Sequence, residues 1–114
     1  MKHHAGLVGN PRELPNPSGV PYRLVQGYLV GPNTNLSGAT FAPTARLGTI
    51  LYGTNFTGAR LTGIDFSGAN MNDATLAGAT LTNANLASVG LLRANLAGVV
   101  SGGILGTPSS LPPG

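Results

Sequence analysis

Residues 54–88 read TNFTGARLTGIDFSGANMNDATLAGATLTNANLAS. A small residue, a polar residue, a Leu, Phe or Met, and two more small or polar residues follow one another, and then the order begins again. A helix buries one face at a period of about 3.6 residues and a half-buried strand at a period of about 2. Neither fits a period of five. Recurrent Gly also opposes a long helix. A short fixed period is the mark of a solenoid, in which each unit buries its apolar face only against its neighbours.

Working outward, the phase holds from Thr34 to Gly103: TNLSG, ATFAP, TARLG, TILYG, TNFTG, ARLTG, IDFSG, ANMND, ATLAG, ATLTN, ANLAS, VGLLR, ANLAG and VVSGG. The third residue is Leu, Phe or Met in twelve of these fourteen pentads. It gives Leu36, Phe41, Leu51, Phe56, Leu61, Phe66, Met71, Leu76, Leu81, Leu86, Leu91 and Leu96 as the structural core. The exceptions are Arg46 and Ser101. An unpaired guanidinium is too costly to bury. A local bulge that turns Arg46 outward, with Leu47 inward, is therefore expected beside Pro43, which cannot donate to a ladder. Ser101, next to Gly102 and Gly103, reads as the solenoid running out.

The pentads ANLAS, ANLAG, ANMND, TNLSG and TNFTG resemble the A-(D/N)-L-x-x pattern of the pentapeptide-repeat family. The resemblance covers residues 34–103, about three-fifths of the chain. It implies an all-β fold: a right-handed quadrilateral parallel β-helix with four pentads per coil, hence about three and a half coils. In that picture the third residue fills the axis, and the first points inward and stays small. The second and fourth face out, and the fifth sits at a turn where Gly tolerates positive φ.

Ahead of the pentads, the runs Tyr22 to Val25 and Tyr28 to Gly31 flank Gln26-Gly27, the pattern of a hairpin. Residues 20–33 are expected to cap the N-terminal coil, whose open edge would otherwise expose unpaired backbone groups. The outer segments, 1–19 and 104–114, read as Pro/Gly-rich connectors. GLVGNPRELP, residues 6–15, matches GILGTPSSLP, residues 103–112, in its Gly, aliphatic, Pro and Leu positions. The chain thus resembles one module of a tandem-module pentapeptide-repeat protein, flanked by two copies of its connector.

Composition excludes several classes of function. Charged residues make up 8% of the 114, and the net charge is +3. No two Arg are adjacent, so the clustered cations of a nucleic-acid site are missing. No apolar run approaches the length of a membrane span, and no signal-peptide core follows Met1. The compartment stays unassigned; a module of a larger secreted protein would be extracellular. There is no Cys, hence neither a thiolate nucleophile nor a thiolate metal site. The two His are His3 and His4, within an MKHH start that reads either as native or as a shortened affinity tag. Asp65 and Asp73 fall on different faces and read as solvated charges rather than an acid–base pair. No catalytic, cofactor or metal residue is assigned, and the chain is read as a non-enzyme.

Three functional classes follow. The first is a structural module that associates with itself through coil ends and tails, as a fibre subunit or a spacer. Ile50, Tyr52, Leu92 and Val100 are its candidate self-contacts, and packing under the hairpin or tails is the equal alternative for them. The second is a surface-binding module that uses flat Thr/Asn faces, although Ala42 and Arg60 interrupt the array of Thr40, Thr62, Thr80 and Thr82. The third, a gyrase-binding DNA mimic of the kind the family contains, needs a dense acidic array, and the pentads hold only Asp65 and Asp73.

Overall fold

In each regular pentad the chain must turn a corner after the fourth residue, and the fifth residue carries that turn. Gly38, Gly53, Gly58, Gly63, Gly68, Gly78 and Gly98 all have φ between 67° and 75°. Where Gly is absent, Asn33, Asp73, Asn83, Ser88 and Arg93 take φ between 59° and 62°. The N–H of the next first residue closes each corner onto the third residue's carbonyl, as in Ala59 to Phe56 at 2.9 Å and Ala79 to Leu76 at 2.9 Å. Positive φ at the third residue of the turn is the signature of a type II turn.

These corners stack into a parallel β-helix. The computed structural model describes residues 22–112. Parallel bridges form four rows: Asn35–Asn55–Thr75–Asn95, Thr40–Arg60–Thr80–Val100, Asp65–Asn85–Leu105 and Ile50–Asn70–Gly90–Ser110. Partners in a row are 20 residues apart, as for Asp73 and Arg93. The second residue's N–H donates to the coil before, as from Thr75 to Thr54 O at 2.9 Å. Its carbonyl accepts from the third residue of that coil, as Thr75 O does from Phe56 N–H at 2.6 Å. Asn and Asp at the second position hold their own corner as well. Asn55, Asp65, Asn70, Asn85 and Asn95 each accept, through a side-chain oxygen, the N–H two residues on, at 2.9–3.0 Å.

The axis is filled by the third residues. Leu36, Phe41, Leu51, Phe56, Leu61, Phe66, Met71, Leu76, Leu81, Leu86 and Leu91 are buried, and Leu96 is partly buried. Phe56 and Phe66 meet edge to face, with centroids 6.1 Å apart and planes at 74°. The first position admits more than Ala, since Ile64 and Val89 are fully buried there. The hydroxyls of buried Thr34 and Thr54 both donate to Gly31 O, at 2.7 and 2.9 Å.

Between Thr34 and Gly103 the repeat slips at one place, and the cause is Pro43. It occupies a fifth position, where positive φ is required, but its ring holds φ near −65°. The turn therefore forms one residue later, with Ala45 N–H donating to Ala42 O at 2.9 Å. Pro43 then sits second in that turn, where its φ is favoured. The slip buries Ala45 and Leu47 and exposes Thr44, Arg46 and Thr49. Gly48, at φ 89°, lets the chain regain phase by Ile50. Among the described residues, no bridge joins 44–48 to Asp65, so the third row lacks its first rung.

The two ends differ. At the N-terminal end, β1 (Arg23–Val25) and β2 (Tyr28–Val30) form an antiparallel hairpin, with Gln26 and Gly27 at φ 52° and 90°. Val25, Tyr28 and Val30 are buried, and the Tyr28 ring lies 4.9 Å from that of Phe41. First-coil donors are met by the hairpin's side chains: Thr40 N–H donates to the Tyr28 hydroxyl at 3.3 Å and Ala42 N–H to Gln26 Oε1 at 2.9 Å. At the other end, the ladder runs beyond the Gly103 expected as its limit, because Leu105 pairs with Asn85 and Ser110 with Gly90. The 20-residue bridge register thus persists through residues read as a connector, although the turn pattern does not: positive φ falls on Gly106, and Pro108 holds the fifth position. Residues 1–21 and 113–114, which include His3, His4, the expected connector 1–19 and the first two residues of the expected 20–33 cap, lie outside the described residues.

The slip at Pro43 separates two neighbours. Leu47→Ala is expected to cost about 2–5 kcal/mol, the range for a buried leucine, whereas Arg46→Ala stays within about 0.5 kcal/mol. Urea unfolding of both variants checks this, and the reverse order would mean that the pentads run through residues 44–48 unbroken.

Candidate functional site

The feature with the most unused binding capacity is the C-terminal end. The third positions of the last coil are Leu96, Ser101, Gly106 and Leu111, against Leu76, Leu81, Leu86 and Leu91 one coil earlier. Ser101 supplies no apolar side chain to the axis, and at Gly106, φ 75°, a Cβ would meet Ala87. The last coil leaves an apolar cavity of about 140 Å³ lined by Leu86, Leu91, Leu96, Val99, Ile104 and Leu111, among others. Around it, Val100, Leu105 and Leu111 are more than half exposed, at 55%, 57% and 61%. The ladder is unfinished too. Among the described residues, the N–H groups of Leu96, Ser101 and Gly106 and the carbonyl of Ile104 have no backbone partner. A stack of strands ends here on unmet donors and an unfilled axis, the arrangement that invites further pairing.

A second depression follows from the missing rung at Pro43. It has a volume of about 170 Å³ and is lined by Arg23, Arg46, Leu47, Gly48, Thr49, Asp65 and Ser67. The Asp65 carboxyl accepts the Ser67 N–H at 2.9 Å. That backbone bond, then the Ser67 hydroxyl and the positive charge of Arg46, hold its pKa below the ordinary value against a small opposing effect of burial. An exposed carboxylate stabilised as the anion is a poor proton shuttle at neutral pH. Asp73 lies elsewhere, at a corner of the fourth row. The Arg93 guanidinium, one coil on, donates to it twice, at 2.7 and 2.9 Å. That bidentate contact lowers the Asp73 pKa and raises that of Arg93. Asp65 and Asp73 are not brought together. Among the described residues, no group of three or more His, Cys, Asp or Glu could hold a metal ion, and no helix is long and apolar enough to cross a membrane.

The candidate self-contacts divide. Ile50, Tyr52 and Leu92 fall on the fourth row's side, with Asn72 between Tyr52 and Leu92, and all three are a little over one-third exposed. Val100 stands in the second row, two rows away. They form no common patch. The Thr face is broken as its sequence suggests, because Arg60 pairs between Thr40 and Thr80. Leu105 and Leu111, read from sequence as connector residues, are the more exposed apolar groups. Continuing the pentads as ILGTP and SSLPP would have found them.

A family model described as pentapeptide repeats matches the chain in eight copies, over residues 49–86 and 64–100. Residues 49–100 of this chain are pentapeptide repeats. Such repeats wind as a right-handed β-helix, a generally non-catalytic structural fold. Among solved structures the chain is similar to Rfr23, a pentapeptide repeat protein from the cyanobacterium Cyanothece 51142. The identity is 24%, covering 81% of this chain and 78% of that chain, with a TM-score of 0.37. No curated protein matches the chain.

The Asp73–Arg93 pair sets one pH expectation. Because the folded-state pKa of Asp73 is depressed, its contribution is complete above the unfolded carboxylate pKa, about 3.9, and is lost as pH falls through the folded value. Arg93→Ala should move the Asp73 titration up toward its ordinary position and flatten stability below about pH 4. NMR titration of the carboxyl carbon checks this; an unmoved Asp73 would mean that the pair is not populated in solution.

Proposed function

We propose that this pentapeptide-repeat protein is a non-catalytic structural module that associates with copies of itself through its coil ends, as a fibre subunit or a spacer. The body of the module is a quadrilateral coil, with the axis filled for about three and a half turns and the hairpin as N-terminal cap. The observation that supports self-association is the inequality of the two ends. Tyr28, Gln26 and the buried valines cover the first coil. The last coil keeps an apolar cavity lined by Leu111, and Leu105 is exposed on the same coil. Covering an exposed leucine contributes about 1.5–3 kcal/mol, so a contact that buries both, closes the cavity and completes the ladder is favourable.

The other classes find less support. A flat Thr face that binds a protein or surface ligand is interrupted by Arg60. A gyrase-binding DNA mimic would need a wall of carboxylates, and of the two in the repeats one is neutralised by Arg93. A self-associating scaffold needs neither nucleic acid nor membrane as a partner.

Light scattering against concentration tests the proposal. The full chain is expected to gain mass as concentration rises, and Leu111→Asp to suppress that gain while leaving the thermal unfolding profile of dilute protein nearly unchanged. A monomer at every concentration overturns the proposal.

A further inference from the structure

We infer that the open C-terminal end is a strand-docking site and that its occupant is the segment Gly6–Pro15 of a second copy. This rests on the self-association proposed above and names the surfaces that meet.

The argument begins with what residues 103–112 do. In sequence they read GILGTPSSLP, and in the fold they form part of the last coil: Leu105 pairs with Asn85 and Ser110 with Gly90. Leu86 N–H donates to Leu105 O at 2.8 Å, and Leu105 N–H to Ala84 O at 2.9 Å. Ile104 and Leu111 line the axial cavity from this segment. GIL-G-T-P-xx-LP is therefore a pattern able to lie down as a coil on the coil before it.

Residues 6–15, GLVGNPRELP, carry the same pattern. Laid in register on residues 103–112, Leu7 falls over Ile104, Val8 over Leu105, Gly9 over Gly106, Pro11 over Pro108 and Leu14 over Leu111. The backbone groups match. Val8 N–H would reach the free carbonyl of Ile104, and Val8 O the free N–H of Gly106, repeating the exchange that Leu105 makes with Ala84 and Leu86. The side chains match too, because Leu7 and Leu14 add apolar bulk at the mouth of the cavity where Ser101 supplies none. Both prolines coincide at a position where no rung is made. Docking is head to tail, since the donor segment precedes the capped end and the acceptor is the opposite end. Repetition of such a contact gives an open chain of modules, not a closed pair.

A chain without cysteine allows a clean test. Val8→Cys and Leu105→Cys are made in separate full-length chains, mixed and oxidised gently. Stacked strands lie about 4.8 Å apart, within the about 4.4–6.8 Å that a disulfide spans between Cα atoms. The mixed disulfide is expected to exceed the product of Val8→Cys with Thr57→Cys, an exposed control two coils away, by about ten-fold or more, because docking raises the effective concentration to the millimolar range. Leu14→Asp in the Val8→Cys chain should remove the excess. Cross-linking no better than the control overturns the docking, as does a Leu105→Cys chain that pairs with itself instead. If the mixed disulfide fails while light scattering still reports larger species, only this docking falls. If both fail, the self-association falls with it.

Discussion

One backbone requirement governs this molecule: every fifth residue must accept a left-handed conformation. When it does, the corner closes, the first and third side chains point inward, and the second and fourth residues are free to pair with the coils on either side. Gly meets the requirement at little cost, and Asn and Asp meet it at some cost. Ser88 and Arg93 adopt it at φ 59°, and Arg93 is tied to the coil before through Asp73. The hydrophobic axis and the four ladder rows follow from the same turn. Where the requirement cannot be met, at Pro43, the order of inward and outward residues shifts at once and a rung is lost.

The same constraint explains how much could be read in advance. The pentads from Thr34 to Gly103 were legible because a large apolar third residue makes the period visible. Arg46 could be read as outward because of the cost of burying its charge, and Pro43 pointed to the place of the distortion. The last part of the coil was not legible as such. Ser101 and Gly106 erase the apolar signal while the 20-residue bridge register persists, so Leu105 and Ser110 continue a ladder that side-chain identity alone does not announce. The Asp73–Arg93 pair was hidden for another reason. Its members are strangers in sequence and neighbours only once the coil length is applied. The hairpin was visible from Gln26-Gly27, but the use of the Tyr28 hydroxyl and the Gln26 amide to satisfy first-coil donors depends on how the hairpin folds over.

The two ends carry the functional argument because the sides offer so little. The faces are small residues, amides and scattered cations, and among the described residues two depressions arise where the repeat is imperfect. At the slip, the result is a polar crevice around a settled carboxylate. At the last coil, apolar volume and unmet donors occur together. A solenoid of uniform pentads would have neither, and the departures from uniformity are where binding capacity accumulates.

The constant stagger between stacked partners has a further consequence for how such chains change over time. Backbone partners within each ladder row are one full turn of the coil apart. Gain or loss of a whole turn therefore joins equivalent neighbours to equivalent neighbours and leaves every interior contact of the same kind. A change of one residue forces a local repair of the sort seen between Pro43 and Ile50. Length in this architecture is inherited in whole turns, and a lineage can lengthen or shorten its rod without redesigning its core.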